Sequence, residues 1–246
     1  MINRFAPVLF VLGILILGFG FLMLVPLSLS WLSADGAHGA YDEAVLITMH
    51  WIGGLGVVVL AVAILPMLGF GGRGMLKAET PGPMKDAKIT PRITETAKGL
   101  WVVYVILTIT CGVSLYQVGM EPWDALMHAF SIMGLGGFST KDASLGHFDS
   151  LDIELVVIFF ALLAGINFST HFLVLSQRSL RAYRSDIEAH YFLGFLALSS
   201  VALALYLWPD DVYEDFLTTL RYVAFHSVSL ATSLGFATTD YAQWPL

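Results

Sequence analysis

The sequence predicts an all-α integral membrane protein in which spanning helices alternate with short helices that enter the membrane, turn at a glycine-centred loop and come back out. Composition is the first reason. Hydrophobic residues make up 57% of the chain and charged residues 13%, with a mean hydropathy of +0.77, against about 25% charged residues in an ordinary soluble domain. The second is an internal repeat: His128, Ser131, Gly137, Phe138, Thr140 and Asp142 recur as His226, Ser229, Gly235, Phe236, Thr238 and Asp240, each pair 98 positions apart with no gap. The third is length. Pro122 to Gly134 is a helical run of 13 residues, which rises about 20 Å against a hydrocarbon core of about 30 Å.

In chain order, Pro7 to Leu32 is almost uninterruptedly apolar behind Arg4. It exceeds the roughly 7–15-residue apolar region of a secretory signal and reads as a retained transmembrane helix. Ala44 to Gly69 is the next span, with His50 and Trp51 interrupting it and Gly53, Gly54 and Gly56 offering a small-residue face for helix contact. Residues 70–98 gather Arg73, Lys77, Lys85, Lys88, Arg92 and Lys98 among Pro81, Pro83 and Pro91, and form a solvated basic connector. Spans follow at about 99–118, 151–175 and 191–208, with Arg178, Arg181 and Arg184 in the loop between the last two. The re-entrant copies fill 122–140 and 215–238. Four units result: 1–69, 70–98, 99–175 and 176–246. Cys111, the single cysteine, lies in an apolar run and excludes an intrachain disulfide.

Charge orients these pieces. With a cytoplasmic N-terminus, five spans put Arg4, the connector and the 176–190 loop inside, holding 10 of the 12 Lys and Arg, while 14 of the 19 acidic residues fall outside. Turning either glycine-ended segment into a full span would invert everything after it and destroy this partition. Length and charge therefore agree on re-entry.

Non-helical backbone at membrane depth must face protein or a water-filled cavity, because each unsatisfied polar group there costs several kcal/mol. Pro122 suits the first turn of an entering helix and Asp124 its positive dipole end; Glu214 and Asp215 do the same in the second copy. The negative ends then point inward at the glycines, an arrangement that attracts a cation. Gly137 and Gly235 suit a loop that aims successive carbonyl oxygens at one axis, since residues with a Cβ pay roughly 1–2 kcal/mol in the left-handed region, and such oxygens can replace the hydration shell of an alkali cation. A GLGG segment alone would read as a flexible turn; two copies with matched His, Ser, Phe, Thr and Asp argue against that.

HAFSIMGLGGFST and HSVSLATSLGFATTD, preceded by HWIGGLGVVVLAVAILP at 50–66, resemble the Trk-type potassium-uptake subunits of the bacterial Trk/Ktr/HKT superfamily. GINFSTHF at 165–172 resembles the inner helix that follows the second filter of that family. The resemblance implies a potassium-channel-like transporter of the bacterial cytoplasmic membrane, with repeats of outer helix, pore helix with filter, and inner helix around one ion path. It carries the filter onto Leu135, Gly136, Gly137 and Phe138 and onto Ser233, Leu234, Gly235 and Phe236, with K⁺ held by the backbone carbonyls of Leu135, Gly136, Ser233 and Leu234. Leu234 stands where the family has a hydroxyl residue before the glycine. Family members have four filters and this sequence carries two, so the chain is expected to conduct poorly alone. It would act as part of a homodimer or with a partner supplying the other repeats; the alternative is a non-conducting fragment or assembly subunit.

Expected partners are K⁺ as the transported ion, membrane lipid and, at the basic connector, a cytoplasmic nucleotide-binding regulatory subunit, the connector otherwise being a solvated linker beside anionic lipid. No cofactor and no nucleic acid are expected. Asn167, Thr170 and His171 stand at i, i+3 and i+4, on one face of a continuous helix, where they could line the path beneath the filter or equally bond neighbouring helices. His128 and His226 lack a second ligand at i+3 or i+4 and read as structural hydrogen-bonding residues rather than metal ligands. Arg221 is expected to reach the outer interface or an acidic partner. An enzyme or haem protein would need a nucleophile with its base or paired histidines on spans, and only His50 and His171 lie within the spans.

Overall fold

The computed structural model of the chain describes residues 38–54, 93–210 and 212–245. The expected helix at Pro7–Leu32, the later part of the second span with Gly56, and residues 70–92 of the connector lie outside the described residues.

Within the described residues the chain is helical throughout: α1 His38–Gly54, α2 Ile93–Gln117, α3 Pro122–Gly134, α4 Leu151–Gly165, α5 Phe168–Gln177, α6 Arg181–Ser185, α7 Ile187–Leu207 and α8 Phe216–Ala231. Single 3-10 turns lie at Ser144–His147, Trp208–Asp210 and Tyr241–Gln243. Two stretches are long and apolar enough to cross a membrane, Lys98–Gln117 in α2 and Ile187–Asp210 in α7 with the turn after it. Boundaries differ from the sequence reading by a turn or so. Residues 93–98, assigned to the connector, already belong to α2, and α7 starts at Ile187 rather than 191.

The run at 151–175 is corrected in kind. It is two helices, α4 and α5, bent by 93° at Ile166 and Asn167. Capping is the cause. Ile166 is extended (φ −81°, ψ 147°), and the Asn167 side chain accepts from the Ser169 amide at 2.9 Å, starting a new helix in place of the old one. Asn167, Thr170 and His171 therefore do not share a face of one continuous helix. Asn167 caps α5; Thr170 and His171 lie in its first turns, fully buried.

α3 is the packing centre, touching α1, α2 and α4, while α8 packs on α7 and α4. One core joins both repeats: Cys111 and Leu115 of α2, Ala125, Ala129 and Ile132 of α3, Phe160 of α4, Phe225 of α8, and Leu234 and Phe236 beyond it. Small residues let α2 and α3 approach closely, because a Cβ placed on Gly112 would sit 3.5 Å from that of Ala129 and 3.8 Å from the Ala125 carbonyl oxygen. The contact with α1 is aromatic. Trp51 stacks on Phe130 with centroids 4.6 Å apart and lies against Tyr104 at 5.6 Å. Its indole nitrogen donates to Thr108 Oγ1 at 3.0 Å, and the Tyr104 hydroxyl donates to its carbonyl at 2.9 Å. These bonds satisfy the polar tips of both rings, which lets their large apolar faces be buried without loss.

The α2–α3 contact yields a graded expectation. Gly112→Ala finds ordinary van der Waals space and replaces a helical glycine, so it should leave thermal stability in detergent unchanged or raise it by about 0.5–1 kcal/mol. Gly112→Leu should destabilise by about 1–3 kcal/mol through overpacking. Thermal unfolding of purified variants measures both; equal stability of the leucine variant would show that the helices are not in contact at this point.

Candidate ion site at two glycine loops

α3 enters with Pro122 in its first turn, where a missing amide hydrogen costs nothing, and ends when Leu135 takes up the left-handed conformation (φ 54°, ψ 48°). The chain then returns to where it came in. Asp124, in the first turn and 5% exposed, accepts a 2.6 Å hydrogen bond from Thr140 and pairs with the Lys141 ammonium at 2.9 Å. Burial opposes its charge, but the Thr140 hydroxyl and Lys141 outweigh that and hold the carboxyl below the ordinary aspartate range. A residue at the mouth of the helix bonded to residues 16 and 17 positions later closes the re-entrant hairpin.

His128 makes a second rung. Carbonyls only accept, so its Nδ1 donates to the Asp124 carbonyl at 2.8 Å; the neutral ring then accepts at Nε2 from the Ser139 hydroxyl at 3.0 Å. Ser139 Oγ in turn receives the Lys141 amide at 3.1 Å. His128 acts as the structural residue its position suggested.

The second copy reproduces the backbone. Its helix starts at Asp215, whose side chain accepts from the Thr218 amide at 2.7 Å. Ser233, the counterpart of Leu135, is left-handed at φ 58°, and the paired glycines have φ of 67° at Gly137 and 83° at Gly235. Gly137 and Gly235 supply the positive φ expected of them, and the residues two positions before each, Leu135 and Ser233, adopt it as well although they carry a Cβ. Side chains follow a different plan. Asp124, Ser139 and Lys141 have Tyr222, Ala237 and Thr239 as counterparts, so the carboxylate rungs cannot form. His226 still donates from Nδ1 to a carbonyl, that of Tyr222, at 2.8 Å, but its ring is enclosed by Tyr241 and Trp244 with centroids 5.2 and 5.3 Å away. Trp244 is fixed in turn by a 2.9 Å bond from its indole nitrogen to the Tyr213 hydroxyl.

The two loops meet. A Cβ on Gly137 would run into the Leu234 carbonyl oxygen and lie 3.1 Å from the Gly235 α-carbon. Phe236, buried, leans on the His128 ring at 5.5 Å, whereas Phe138 is 41% exposed and faces His50 edge-on at 5.6 Å. Beyond the glycines, the Gly146 amide donates to the Ala237 carbonyl at 3.1 Å and the Ala237 amide to Ser144 Oγ at 3.3 Å. The turn after the first loop thus holds the returning strand of the second. Leu135, Gly136, Gly137 and Phe138 are in this way brought together with Ser233, Leu234, Gly235 and Phe236.

The remaining polar residues stand apart. Thr170 donates to Asp186 Oδ2 at 2.6 Å, which ties α5 to the cap of α7, and His171 bonds the Tyr183 hydroxyl at 2.6 Å and the Leu163 carbonyl at 2.8 Å, which ties α5 to α6 and to the end of α4. Arg221 finds an acidic partner. Its Nε and Nη2 donate to the two oxygens of Glu154 at 2.7 and 2.8 Å, a bidentate pair joining α8 to α4, with Asp149 a further 3.4 Å contact. Glu154 appears in the sequence as one more outer acid, and only its spacing of 67 residues from Arg221 in the chain hid the pairing. His50 was read as an interruption of a span; it lies against the first loop, its Nε2 2.9 Å from the Gly134 carbonyl oxygen. Its place in the HWIGG motif was the available signal. No cluster of three or more His, Cys, Asp or Glu suited to a metal occurs among the described residues.

Spanning helices interleaved with re-entrant helices, each ending in a positive-φ glycine loop, define a class of membrane protein built by repetition around a shared axis of loops. Residues 30–209 match the family model for TrkH, described as a cation transport protein, and the chain belongs to that family. It is 48% identical over 198 residues to the Trk system potassium uptake protein TrkH of Salmonella typhimurium and 41% identical over 197 residues to TrkG of Escherichia coli. Each match takes in 80% of this chain; the chain spans 41% and 40%, respectively, of those relatives' length. The crystal structure of the potassium transporter TrkH from Vibrio parahaemolyticus superposes with a TM-score of 0.68 at 38% identity, covering 84% of this chain and 41% of that one.

The Arg221–Glu154 pair should respond asymmetrically. Glu154 is 4% exposed at its side chain and Arg221 23%, so Arg221→Met leaves a carboxylate buried and should cost about 3 kcal/mol, whereas Glu154→Gln leaves an arginine that reaches water and should cost less. Arg221→Met/Glu154→Met together should recover part of the loss. Chemical unfolding of the three proteins in detergent tests the order; a double variant worse than Arg221→Met would contradict the pairing.

Proposed function

We propose that this chain forms part of a potassium-uptake pathway across the bacterial cytoplasmic membrane, with its N-terminus in the cytoplasm. The observation that carries the reading is the matched pair of positive-φ loops at the inner, negative ends of α3 and α8. A dehydrated K⁺ needs several oxygen ligands held without reorganisation, and backbone carbonyls at the C-terminal ends of helices supply partial negative charge without a full charge that would trap the ion. The carbonyls of Leu135, Gly136, Ser233 and Leu234 are the ligands in this reading, and Phe138 and Phe236 close the loops behind the glycines. The named function of the relatives, potassium uptake, supports the choice of ion.

The pathway is completed by further loops of the same kind, from a second copy of the chain or from a partner carrying equivalent repeats. A cytoplasmic nucleotide-binding regulatory subunit would dock on the basic 70–98 connector. The outer side would hold the acidic loop ends and the Ser144–His147 turn.

Two experiments test this. In a Cys111→Ala background, cysteine at Ser144 should react with an impermeant thiol reagent from outside the cell and cysteine at Lys85 only from inside; equal external labelling of both would end the proposed topology. Gly137→Ser and Gly235→Ser, expressed in a potassium-uptake-deficient bacterial host, should lower the ratio of K⁺ to Na⁺ flux more than they lower protein level. The first should be the more severe, since it meets the Leu234 carbonyl as well as an unfavourable φ, while the second has no neighbour nearer than the Gly137 α-carbon at 3.9 Å. Changes in protein level alone would make the glycines structural and remove the main support for the ion site.

A further inference from the structure

The carbonyl just before the left-handed residue of each loop is tied by a donor, and the two copies use different donors. At the end of α3, His50 Nε2 lies 2.9 Å from the Gly134 oxygen. That oxygen cannot donate, so Nε2 carries the proton and the tautomer is assigned. At the corresponding position of the second copy, 98 residues on, the Thr232 carbonyl accepts a 2.6 Å bond from the hydroxyl of Ser233. Ser233 occupies the place of Leu135, and both are left-handed, at φ 58° and 54°. One copy thus satisfies this carbonyl from its own loop. The other, with leucine at that place, receives the donor from α1.

His50 also sets where the first loop can be. A Cβ on Gly134 would lie 2.9 Å from its Cδ2, and one on Gly136 would lie 2.8 Å from its Cγ, so the loop backbone rests directly on the imidazole, which also meets Phe138 edge-on. Carbonyls in the last turn of a helix lack intrahelical partners. Left untied, the Gly134 oxygen would be free to turn to water or to a cation.

We infer that His50 is a positioning residue for cation selectivity: its Nε2–H holds the Gly134 carbonyl and its ring backs Gly136, fixing the first loop as the Ser233 hydroxyl fixes the second. This rests on the ion-site reading above. A carbonyl cage discriminates between K⁺ and Na⁺ only while its size is maintained; backbone amides of both loops already bond back to their helices, Gly136 to the Ser131 carbonyl at 2.9 Å and Gly235 to the Ser229 carbonyl at 3.2 Å, and the His50 and Ser233 donors add a side-chain restraint at the matched carbonyls.

The experiment compares K⁺ and Na⁺ fluxes in the uptake-deficient host for His50→Leu, His50→Gln, Leu135→Ser and the double variant His50→Leu/Leu135→Ser, with Gly137→Ser alongside. His50→Leu should reduce the K⁺/Na⁺ ratio roughly tenfold, the scale of one hydrogen bond, at retained protein level. His50→Gln keeps a donor and should retain most of the ratio. The double variant gives the first copy the second copy's own hydroxyl and should recover the ratio relative to His50→Leu. An unchanged ratio in His50→Leu while Gly137→Ser loses selectivity overturns the role of His50 and leaves the ion site standing; no change in either removes the ion site itself. If His50→Leu fails to reach the membrane, the imidazole ¹⁵N signals of His50 in the wild-type protein, assigned by difference from His50→Gln, decide. A protonated Nε2 upholds the bond, and a bare Nε2 overturns it.

Discussion

A helix that stops inside a membrane leaves its final carbonyls and the following loop without partners, in a medium where each such group costs several kcal/mol. Much of this structure answers that one constraint. α3 lies at the packing centre because the helix that stops short has to be surrounded by the helices that do not. His50, Ser233 and Ser229, whose hydroxyl donates to the Phe236 carbonyl at 2.7 Å, bring donors to the stranded oxygens. Asp124 with Thr140 and Lys141 brings the chain back to its own starting point.

The re-entrant segments were legible in the sequence because length, charge and repetition are all properties of consecutive residues. Pro122 and Gly134 mark the ends of α3 as read, and Gly137 and Gly235 have the backbone that their repetition implied. The break at 165–167 was not legible in the same way. Hydropathy runs through it unchanged, and the one contrary signal, an asparagine able to cap a new helix, also suits a polar residue lining a channel. Hydropathy weighs side chains, while the 93° bend goes with an extended residue at Ile166 and a cap bond from the Ser169 amide to Asn167.

Contacts distant in sequence were the other loss. Arg221 was expected to reach the outer interface or an acidic partner, and the loops offered many acids; selecting Glu154 required the packing of α8 on α4. His50 presents the same difficulty in sharper form. Its contact depends on α1 and α3 lying together, so that a residue well along one helix meets the last residue of the other. The repeat itself misleads here, since aligned residues share backbone geometry but not partners: His128 bonds a serine hydroxyl, and His226 is walled by aromatic rings.

The hydrogen bonds between Gly146 and Ala237, and between Ala237 and Ser144, give the paired loops a property that neither has singly. The strand leaving one glycine is anchored on the turn that follows the other, and the two α-carbon traces touch at Gly137 and Gly235. A displacement of either loop outward pulls on its neighbour through one backbone bond and one bond to the short Ser144 side chain. The contact between the two loops is therefore made by short links, with no long side chain in between.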